Sequence, residues 1–262
     1  MTKILDTLAA CTRARVEQEK LQVTPEQMRE RAMLLADEEK TFPFEQALRQ
    51  QDINFICEVK KASPSKGVIA EDFPYLEIAR EYEDAGAACI SVLTEPEYFM
   101  GRNEYLAAIA GEVSIPIIRK DFTVDEYMIY QAKTIGASCV LLICALLDEK
   151  TLKKYIGICD SLGLSALVEA HDEEEIRMAV AAGARIIGVN NRDLRTFEVD
   201  IHNSERLRCL VPEEILFVAE SGIRTAADIQ VLREAKVNGV LIGETFMRSS
   251  NKKQMLEELR GL

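Results

Sequence analysis

Short apolar segments alternate with amphipathic helical segments eight times from residue 55 onward. The apolar segments are rich in Val, Ile and Leu, as the buried strands of a helix-covered parallel sheet are. Eight strand–helix units in about this length predict an α/β fold, a (β/α)₈ TIM barrel. The expected strands cover residues 55–60, 88–93, 115–120, 138–143, 165–169, 186–190, 215–220 and 239–243.

The alternative architecture is an open, doubly wound sheet. It is disfavoured because no expected strand is followed by a G-x-G-x-x-G fingerprint. The expected helices cover residues 75–85, 103–111, 124–135, 148–162, 172–182, 203–210, 225–235 and 252–259. Four of them run into a glycine at the point where a left-handed C-cap is needed, namely Gly86, Gly136, Gly163 and Gly183.

The first fifty residues are surplus to the eight units and are predicted to be helical. Thr24 starts one helix, because Gln27 completes a capping box with it. A short helix then begins near Phe44. No linker or low-complexity run separates these segments from the barrel. We therefore expect one domain over residues 1–262, in which residues 1–50 form a helical extension that packs over the active-site end.

Charge and cysteine usage restrict the partners and the compartment. With 32 basic and 44 acidic residues, the net charge of −12 argues against nucleic acid or an anionic membrane as a main partner. No apolar run is long enough to span a membrane, and the N-terminus lacks a signal-peptide pattern. Seven cysteines without CxxC spacing indicate a reducing, cytoplasmic location. Two histidines argue against a His-rich metal site.

Polar side chains stand at the carboxyl ends of nearly all the expected strands, where barrel active sites lie. On the first strand, Glu58 and Lys60 share one face. A buried Glu and Lys are costly unless paired, so they indicate a site, although a solvated edge strand would carry the same pair. Lysines and carboxylates suit proton transfer on an anionic substrate. The strand-end set comprises Glu58, Lys60, Lys120, Glu169, Asn190 and Glu220.

The turns after the seventh and eighth strands predict a phosphate site. In many barrels these two loops and a short helix bind phosphate. Gly222, which follows Ser221, and Gly243 would let backbone N–H groups approach an oxyanion closely. The alternative is that both segments are only tight turns.

His171 and Cys144 have simpler explanations than catalysis. His171 follows Glu169 by two residues and is expected at a helix start. Cys144 ends the fourth strand with no histidine marked to activate it, which favours a packing role. The acidic run at 172–175 is typical of acids that the helix dipole favours in a first turn.

Several motifs, in one order along the chain, resemble those of the indole-3-glycerol-phosphate synthase family. The motifs are Glu58-Val59-Lys60-Lys61-Ala62-Ser63-Pro64-Ser65, Leu93-Thr94-Glu95 with Tyr98-Phe99, Arg119-Lys120-Asp121-Phe122, Leu167-Val168-Glu169, Gly188-Val189-Asn190-Asn191-Arg192 and Ala219-Glu220-Ser221-Gly222-Ile223. An N-terminal helical extension is also a feature of that family. The resemblance implies a carboxy-lyase of tryptophan biosynthesis that acts on 1-(2-carboxyphenylamino)-1-deoxyribulose 5-phosphate. The implied reaction is ring closure followed by loss of carbon dioxide and water, with no metal or cofactor.

The resemblance also implies catalytic roles. Lys120 would be the general acid that protonates the ketone oxygen, and Glu169 the acid/base group of the dehydration. Lys60, paired with Glu58, would stabilise negative charge and share acid duty with Lys120. Asn190 would orient the substrate.

Binding roles follow from the same resemblance. Ser63 would orient the substrate, Arg192 would support the site, and Glu220 would help to offset the desolvation of a lysine. Phe99 and Phe122 would flank the aromatic ring. The phosphate would be held by Ser221, Gly222 and Gly243.

One position departs from the family pattern, because many relatives have a small hydroxyl residue where this chain has Glu244. We expect Glu244 to point away from the phosphate. Two other functions stay open at this stage: an aldose–ketose isomerase of the same pathway, and a non-catalytic ligand-binding barrel. Association with other tryptophan-pathway enzymes is a further expectation.

Overall fold

The computed structural model describes residues 3–36, 39–193 and 198–261. Its strands, in chain order, are β1 Asn54–Val59, β2 Ala62–Ser63, β3 Gly67–Val68, β4 Cys89–Leu93, β5 Ile117–Lys120, β6 Cys139–Ile143, β7 Ser165–Ala170, β8 Ile186–Asn190, β9 Leu216–Glu220 and β10 Gly239–Ile242. Strands β1 and β4–β10 form one closed barrel, and β2 and β3 form a separate two-stranded sheet.

The helices alternate with the barrel strands. They are α1 Lys3–Gln22, α2 Pro25–Leu34, α3 Pro43–Leu48, α4 Tyr75–Asp84, α5 Asn103–Ala110, α6 Glu126–Thr134, α7 Glu149–Ser161, α8 Glu173–Ala182, α9 His202–Arg208, α10 Ala226–Glu234, α11 Glu244–Arg248 and α12 Lys252–Arg260. A 3₁₀ turn covers Cys144–Leu146. No helix in the described part of the chain is both long and apolar enough to cross a membrane.

Strand β1 closes the barrel, because it pairs in parallel with β10 on one side and β4 on the other. Phe55 lies opposite Val240, and Ile56 lies opposite Cys89. An open sheet would leave two strands each with a single neighbour, so the doubly wound alternative is excluded. The strands carry the largest share of one continuous apolar core.

Local sequence signals account for the helix ends. Thr24 accepts a hydrogen bond from the Gln27 backbone N–H, and the Gln27 side chain accepts from the Thr24 N–H, so the predicted capping box is confirmed. The four predicted C-cap glycines all have positive φ angles, between 67° and 89°. The expected strand at 115–120 begins only at Ile117, because Pro116 has no N–H for the ladder.

The extension does not pack as one unit over the active-site end, which corrects the expectation for residues 1–50. Helix α1 lines the pocket at the carboxyl ends of the strands. Helix α3 lies at the opposite end, where Leu48 packs against Gly239, the first residue of β10. Between them α2 packs on the flank of the barrel against α6. Apolar spacing predicts that each segment is helical but not which end it covers.

Candidate active site

A pocket of about 650 Å³ opens at the carboxyl ends of the barrel strands. Helix α1 contributes Ile4, Leu5 and Leu8 to its wall. All thirteen residues predicted for the site line this pocket, because the ends of parallel strands meet at one face of a barrel. They are Glu58, Lys60, Ser63, Phe99, Lys120, Phe122, Glu169, Asn190, Arg192, Glu220, Ser221, Gly222 and Gly243.

Lys120 lies between two carboxylates at the centre of the pocket. Its Nζ is 3.2 Å from Glu169 Oε2 and 3.0 Å from Glu220 Oε2. The three residues come from β5, β7 and β9, alternate strands of the barrel, so their side chains point into the same layer of the interior. Gly188 makes room for this arrangement, since a Cβ there would lie 2.4 Å from Glu220 Oε1.

This cluster shifts the proton affinities of its members. Burial would lower the pKa of Lys120, but the carboxylates of Glu220 and Glu169 outweigh it and raise that pKa above its ordinary value. Burial would raise the pKa of Glu169, but Lys120 and His171 hold it below its ordinary value. Burial raises the pKa of Glu220 to about 7 against the pull of Lys120. Lys120 therefore keeps the Glu169 carboxylate ionised, whereas Glu220 is partly protonated near pH 7.

Lys60 and Glu58 form a second ion pair in the pocket. Gly243 leaves the space that this pair occupies, because a Cβ at 243 would lie 2.3 Å from Glu58 Oε1 and 2.8 Å from Lys60 Nζ. A side chain at position 243 would displace the pair. The glycine is therefore required for the lysine–glutamate contact as well as for any close approach of an anion.

Asn190 connects Glu169, the partner of Lys120, to the loop after β8. Its side-chain oxygen accepts a hydrogen bond of 3.0 Å from the Arg192 backbone N–H. Its side chain also hydrogen-bonds to Glu169, which helps to keep the pKa of that carboxyl low. Ser63 reaches the pocket from the hairpin of β2 and β3, a short element that the sequence did not predict.

The turn after β9 is held in an unusual backbone conformation. Ser221 and Gly222 have φ angles of 69° and 85°, and a non-glycine residue rarely adopts the first of these. Two features disfavour any residue other than glycine at position 222. One is the positive φ angle, and the other is the Val199 side chain, which fills the space that a Cβ would need. The Asn191 side-chain amide donates to the Ser221 carbonyl oxygen at 3.1 Å and fixes the turn.

Glu244 does not point away from the pocket, which corrects the expectation made for it. It lines the pocket mouth 3.6 Å from Lys66 Nζ and 3.1 Å from Arg248 Nε. Burial opposes ionisation, but these two cations hold the pKa of Glu244 below its ordinary value. The mouth beside Gly243 therefore carries two cations that sequence reasoning did not assign to the site.

Two aromatic rings form an apolar wall of the pocket. The ring centroids of Phe99 and Phe122 are 6.1 Å apart, with planes tilted by 47°. Glu95 holds the loop that carries Phe99, since its Oε2 accepts from the Tyr98 and Phe99 backbone N–H groups at 2.8 and 3.0 Å. The wall is therefore built on a fixed loop.

Helix α1 is tied to the loop after β5 through Arg15. Its guanidinium nitrogen Nη2 donates to both oxygens of Asp121 at 2.9 Å. Asp121 also accepts from the Thr94 hydroxyl at 2.6 Å. Asp121 follows Lys120 directly, so the contact connects the extension to the central lysine. The sequence did not predict the Arg15–Asp121 contact, because the two residues are 106 positions apart and no motif links them.

His171 lies behind Glu169 rather than in the pocket wall. Its Nε2 is 3.5 Å from Glu169 Oε1, and its Nδ1 is 3.1 Å from Glu175 Oε2. The expectation that His171 stands at a helix start is confirmed, since α8 begins at Glu173. Sequence reasoning treated Glu175 only as a first-turn acid and missed its contact with the imidazole. In the described ranges, no group of three or more His, Cys, Asp or Glu side chains could hold a metal ion.

A closed (β/α)₈ barrel with charged residues gathered at the carboxyl ends of its strands has the layout of a barrel enzyme. A family model described as "Indole-3-glycerol phosphate synthase" matches residues 5–259. The chain belongs to the indole-3-glycerol phosphate synthase family.

Individual relatives agree with the family match. An indole-3-glycerol phosphate synthase of Ruminiclostridium cellulolyticum is 58% identical over 258 residues, which are 98% of this chain and 99% of the relative. One from Lachnoclostridium phytofermentans is 51% identical over 269 residues, 99% of each chain. Thiamine phosphate pyrophosphorylase from Pyrococcus furiosus matches in structure with a TM-score of 0.61 at 17% identity, over 82% of this chain and 96% of that one. The last similarity concerns the fold alone.

Proposed function

We propose that this protein is an indole-3-glycerol phosphate synthase of tryptophan biosynthesis, a carboxy-lyase. Its substrate is 1-(2-carboxyphenylamino)-1-deoxyribulose 5-phosphate. One observation carries the proposal beyond family membership: Lys120 is held between Glu169 and Glu220 in a pocket that has an aromatic wall at one side and glycine turns at another. A charged donor, an apolar ring site and an anion site are what this substrate requires.

Ring closure begins with Lys120 as the acid. The ring carbon that bears the carboxylate attacks the ketone carbon, and the ketone oxygen takes a proton from the Lys120 ammonium. The carboxylates of Glu169 and Glu220 keep this lysine charged despite its burial, as the direction of its pKa shift indicates. A positioned proton donor contributes roughly 10²–10⁴-fold to such a step.

Decarboxylation then restores the aromatic ring. The bond to the carboxylate breaks, its electron pair returns to the ring, and carbon dioxide leaves. Phe99 and Phe122 would hold the ring against the apolar side chains of α1, with little water near the carboxylate. Lys60, paired with Glu58, stabilises negative charge during the closure.

Dehydration completes the indole. Glu169 takes the proton from the carbon next to the amine and returns a proton to the departing hydroxyl. Asn190 hydrogen-bonds to the same carboxylate and orients it. Ser63 and Arg192, which both line the pocket, would contact the sugar chain.

The phosphate would lie at the turns after β9 and β10. Ser221, Gly222 and Gly243 supply backbone there, and Lys66 and Arg248 stand beside them at the pocket mouth. The two cations pair with the nearby Glu244 carboxylate and give the turns local positive charge in a chain of net charge −12. With the phosphate at one end and the ring at the other, the ketone would lie near Lys120.

We infer from the thiols that the enzyme acts in the cytoplasm. Cys57, Cys89, Cys139, Cys144 and Cys159 are buried and free. Buried thiols without disulfide partners fit a reducing compartment. Association with other enzymes of the pathway stays a prediction from the family resemblance.

The test uses the composition of the chain, which has seven Tyr and no Trp. The substrate is added to the protein in the presence of a chelator, and indole emission is followed against the weak tyrosine background. Rising emission from the wild type, and almost none from a Lys120→Ala control, is the expected result. A folded wild-type protein that produces no indole emission would contradict the proposal and favour an isomerase or a binding barrel.

A further inference from the structure

The overall reaction proposed above consumes one proton from solvent. The carboxylate leaves as neutral carbon dioxide, the ketone oxygen gains a proton before it leaves as water, and one proton is lost from carbon. Glu169 can take that last proton and return it to the leaving hydroxyl. The proton given up by Lys120 is then the net loss, so the lysine must be recharged before the next turnover.

The groups that need this proton have little access to water. The side chains of Lys120, Glu169 and Glu220 are 14%, 3% and 2% exposed. A bound substrate would cover the pocket side of all three. The product covers the same side until it leaves, so a route from another direction would let the pair recharge before the product is released.

His171 occupies such a direction. Its Nε2 is 3.5 Å from Glu169 Oε1, on the side of the carboxylate away from Lys120, whose Nζ contacts Oε2. This Nε2 is buried and has no hydrogen-bond partner among the residues the structure describes. The rest of the imidazole reaches outward, and the side chain is 20% exposed. Glu169 thus bridges the histidine and the lysine through its two oxygens.

The surroundings of His171 keep the imidazole protonated. Glu175 on α8 accepts from Nδ1 at 3.1 Å and also from the His171 backbone N–H at 2.7 Å. Glu169 on β7 and Glu220 on β9 face the ring from the barrel side. Burial would lower the pKa of His171, but these three carboxylates outweigh it and raise the pKa to about 9.

We propose that His171 is a proton relay that recharges the Lys120–Glu169 pair between turnovers; the proposal rests on the proposed function. The Nε2–H bond of the imidazolium breaks and an O–H bond forms on the Glu169 carboxyl. That proton then moves to the neutral Lys120 amine, which restores the ammonium and the carboxylate. The neutral imidazole keeps its proton on Nδ1, so it regains the second proton at Nε2 when a rotation of the ring brings that nitrogen to solvent. Each cycle thereby brings in the one proton that the reaction consumes.

Chemical rescue distinguishes a relay from a structural role. In His171→Ala, kcat should fall about tenfold with KM unchanged, since the side chain lies outside the pocket wall. Added imidazole should restore kcat, because a soluble proton carrier can occupy the vacated space, and the gain should saturate with imidazole concentration. His202→Ala is the matched control: the other histidine of the chain is 61% exposed and paired with Glu205, so kcat should stay at the wild-type value with or without imidazole.

A second variant keeps the test decisive if His171→Ala does not fold. Glu175→Gln leaves the imidazole in place but removes one of the charges that keep it protonated. The alkaline limb of the kcat profile should therefore move to lower pH than in the wild type. An unmoved limb, or a His171→Ala enzyme that imidazole does not restore, would overturn the relay while the wild type still makes indole product. A wild type that makes none would overturn the proposed function, and the relay with it.

Discussion

The two ends of the barrel bury charged side chains in different ways. At the amino end, Glu45 of α3 accepts from Arg185 Nε and Nη2 at 3.0 and 2.8 Å and from the Ser165 hydroxyl at 3.3 Å. Arg185 also donates to Asp160 at 2.7 Å. At the carboxyl end, Lys120 is shared between two buried carboxylates, Glu169 and Glu220.

The difference lies in how completely each set is satisfied. At the amino end, both oxygens of the Glu45 carboxylate accept hydrogen bonds, because the Arg185 guanidinium contacts them in a bidentate manner. At the carboxyl end, Glu220 Oε1 and His171 Nε2 are buried without hydrogen-bond partners among the described residues. Unpaired buried polar atoms cost stability, and titratable groups with perturbed pKa values cluster at functional sites. We therefore expect the amino end to contribute to stability and the carboxyl end to the proposed chemistry.

The strongest test of this comparison removes the central cation. In Lys120→Ala, the first-order rate of product formation should fall about 10³-fold, because the proposed acid for ring closure is lost. The variant should stay folded, since one of the two carboxylates can take up a proton instead. Single-turnover indole emission and circular dichroism measure the two effects. Wild-type turnover would remove Lys120 from the mechanism.

The converse change is made at the amino end. Glu45→Ala should lower the free energy of unfolding by about 2 kcal/mol, because the partly exposed Arg185 guanidinium loses its bidentate partner and keeps only Asp160, while kcat stays unchanged. Denaturant unfolding and steady-state kinetics check both. Glu213→Ala, which breaks an exposed pair with Lys236, is the matched control and should leave stability unaltered. An active-site defect in Glu45→Ala would show that the two ends are coupled.

The under-paired carboxylate predicts a pH effect. The pKa of Glu220 is raised from 4.5 to about 7 in the folded state, so the native protein favours its protonated form. Its contribution to stability is present below pH 4.5 and is lost as the pH rises through 7. Glu220→Gln imitates the neutral form and should gain about 2 kcal/mol relative to the wild type between these pH values. Denaturant unfolding at pH 5 and pH 8 measures the change, and a constant difference would contradict the assignment.

The smallest effect is expected where α1 meets the carboxyl end. Arg15→Ala removes the contact with Asp121 and should raise KM about threefold with little loss of kcat, because helix α1, which lines the pocket, loses its anchor while Lys120 keeps both carboxylates. Steady-state kinetics separate KM from kcat, and Arg13→Ala on the same helix is the control. A fall in kcat without a change in KM would mean that Arg15 acts through the lysine instead.

Much of the fold was predictable because its signals are local and repeated. Apolar strands, amphipathic helices and capping residues each identify one element, and eight repetitions define a closed barrel. The position of the site was predictable for a related reason. Once the strands are parallel, residues that end them must meet, as Lys120, Glu169 and Glu220 do.

Contacts between distant, individually ordinary residues were not predictable. Arg15 and Asp121 each look like a surface charge until α1 is placed over the pocket. The hairpin of β2 and β3 has two-residue strands, too short for an alternating pattern to show. The contact of His171 with Glu175 was concealed by a simpler reason for an acid at that position, the helix dipole.

The most direct measurement of the difference between the two ends is the unfolding free energy of one combined variant. Lys120→Met, Glu169→Gln and Glu220→Gln together replace the central cluster by neutral side chains of similar size. At pH 8 we expect this inactive protein to be more stable than the wild type by about 1–4 kcal/mol, because the desolvation of three charges is relieved. A variant less stable than the wild type would show that the carboxyl-end cluster holds the fold together, and would contradict the account.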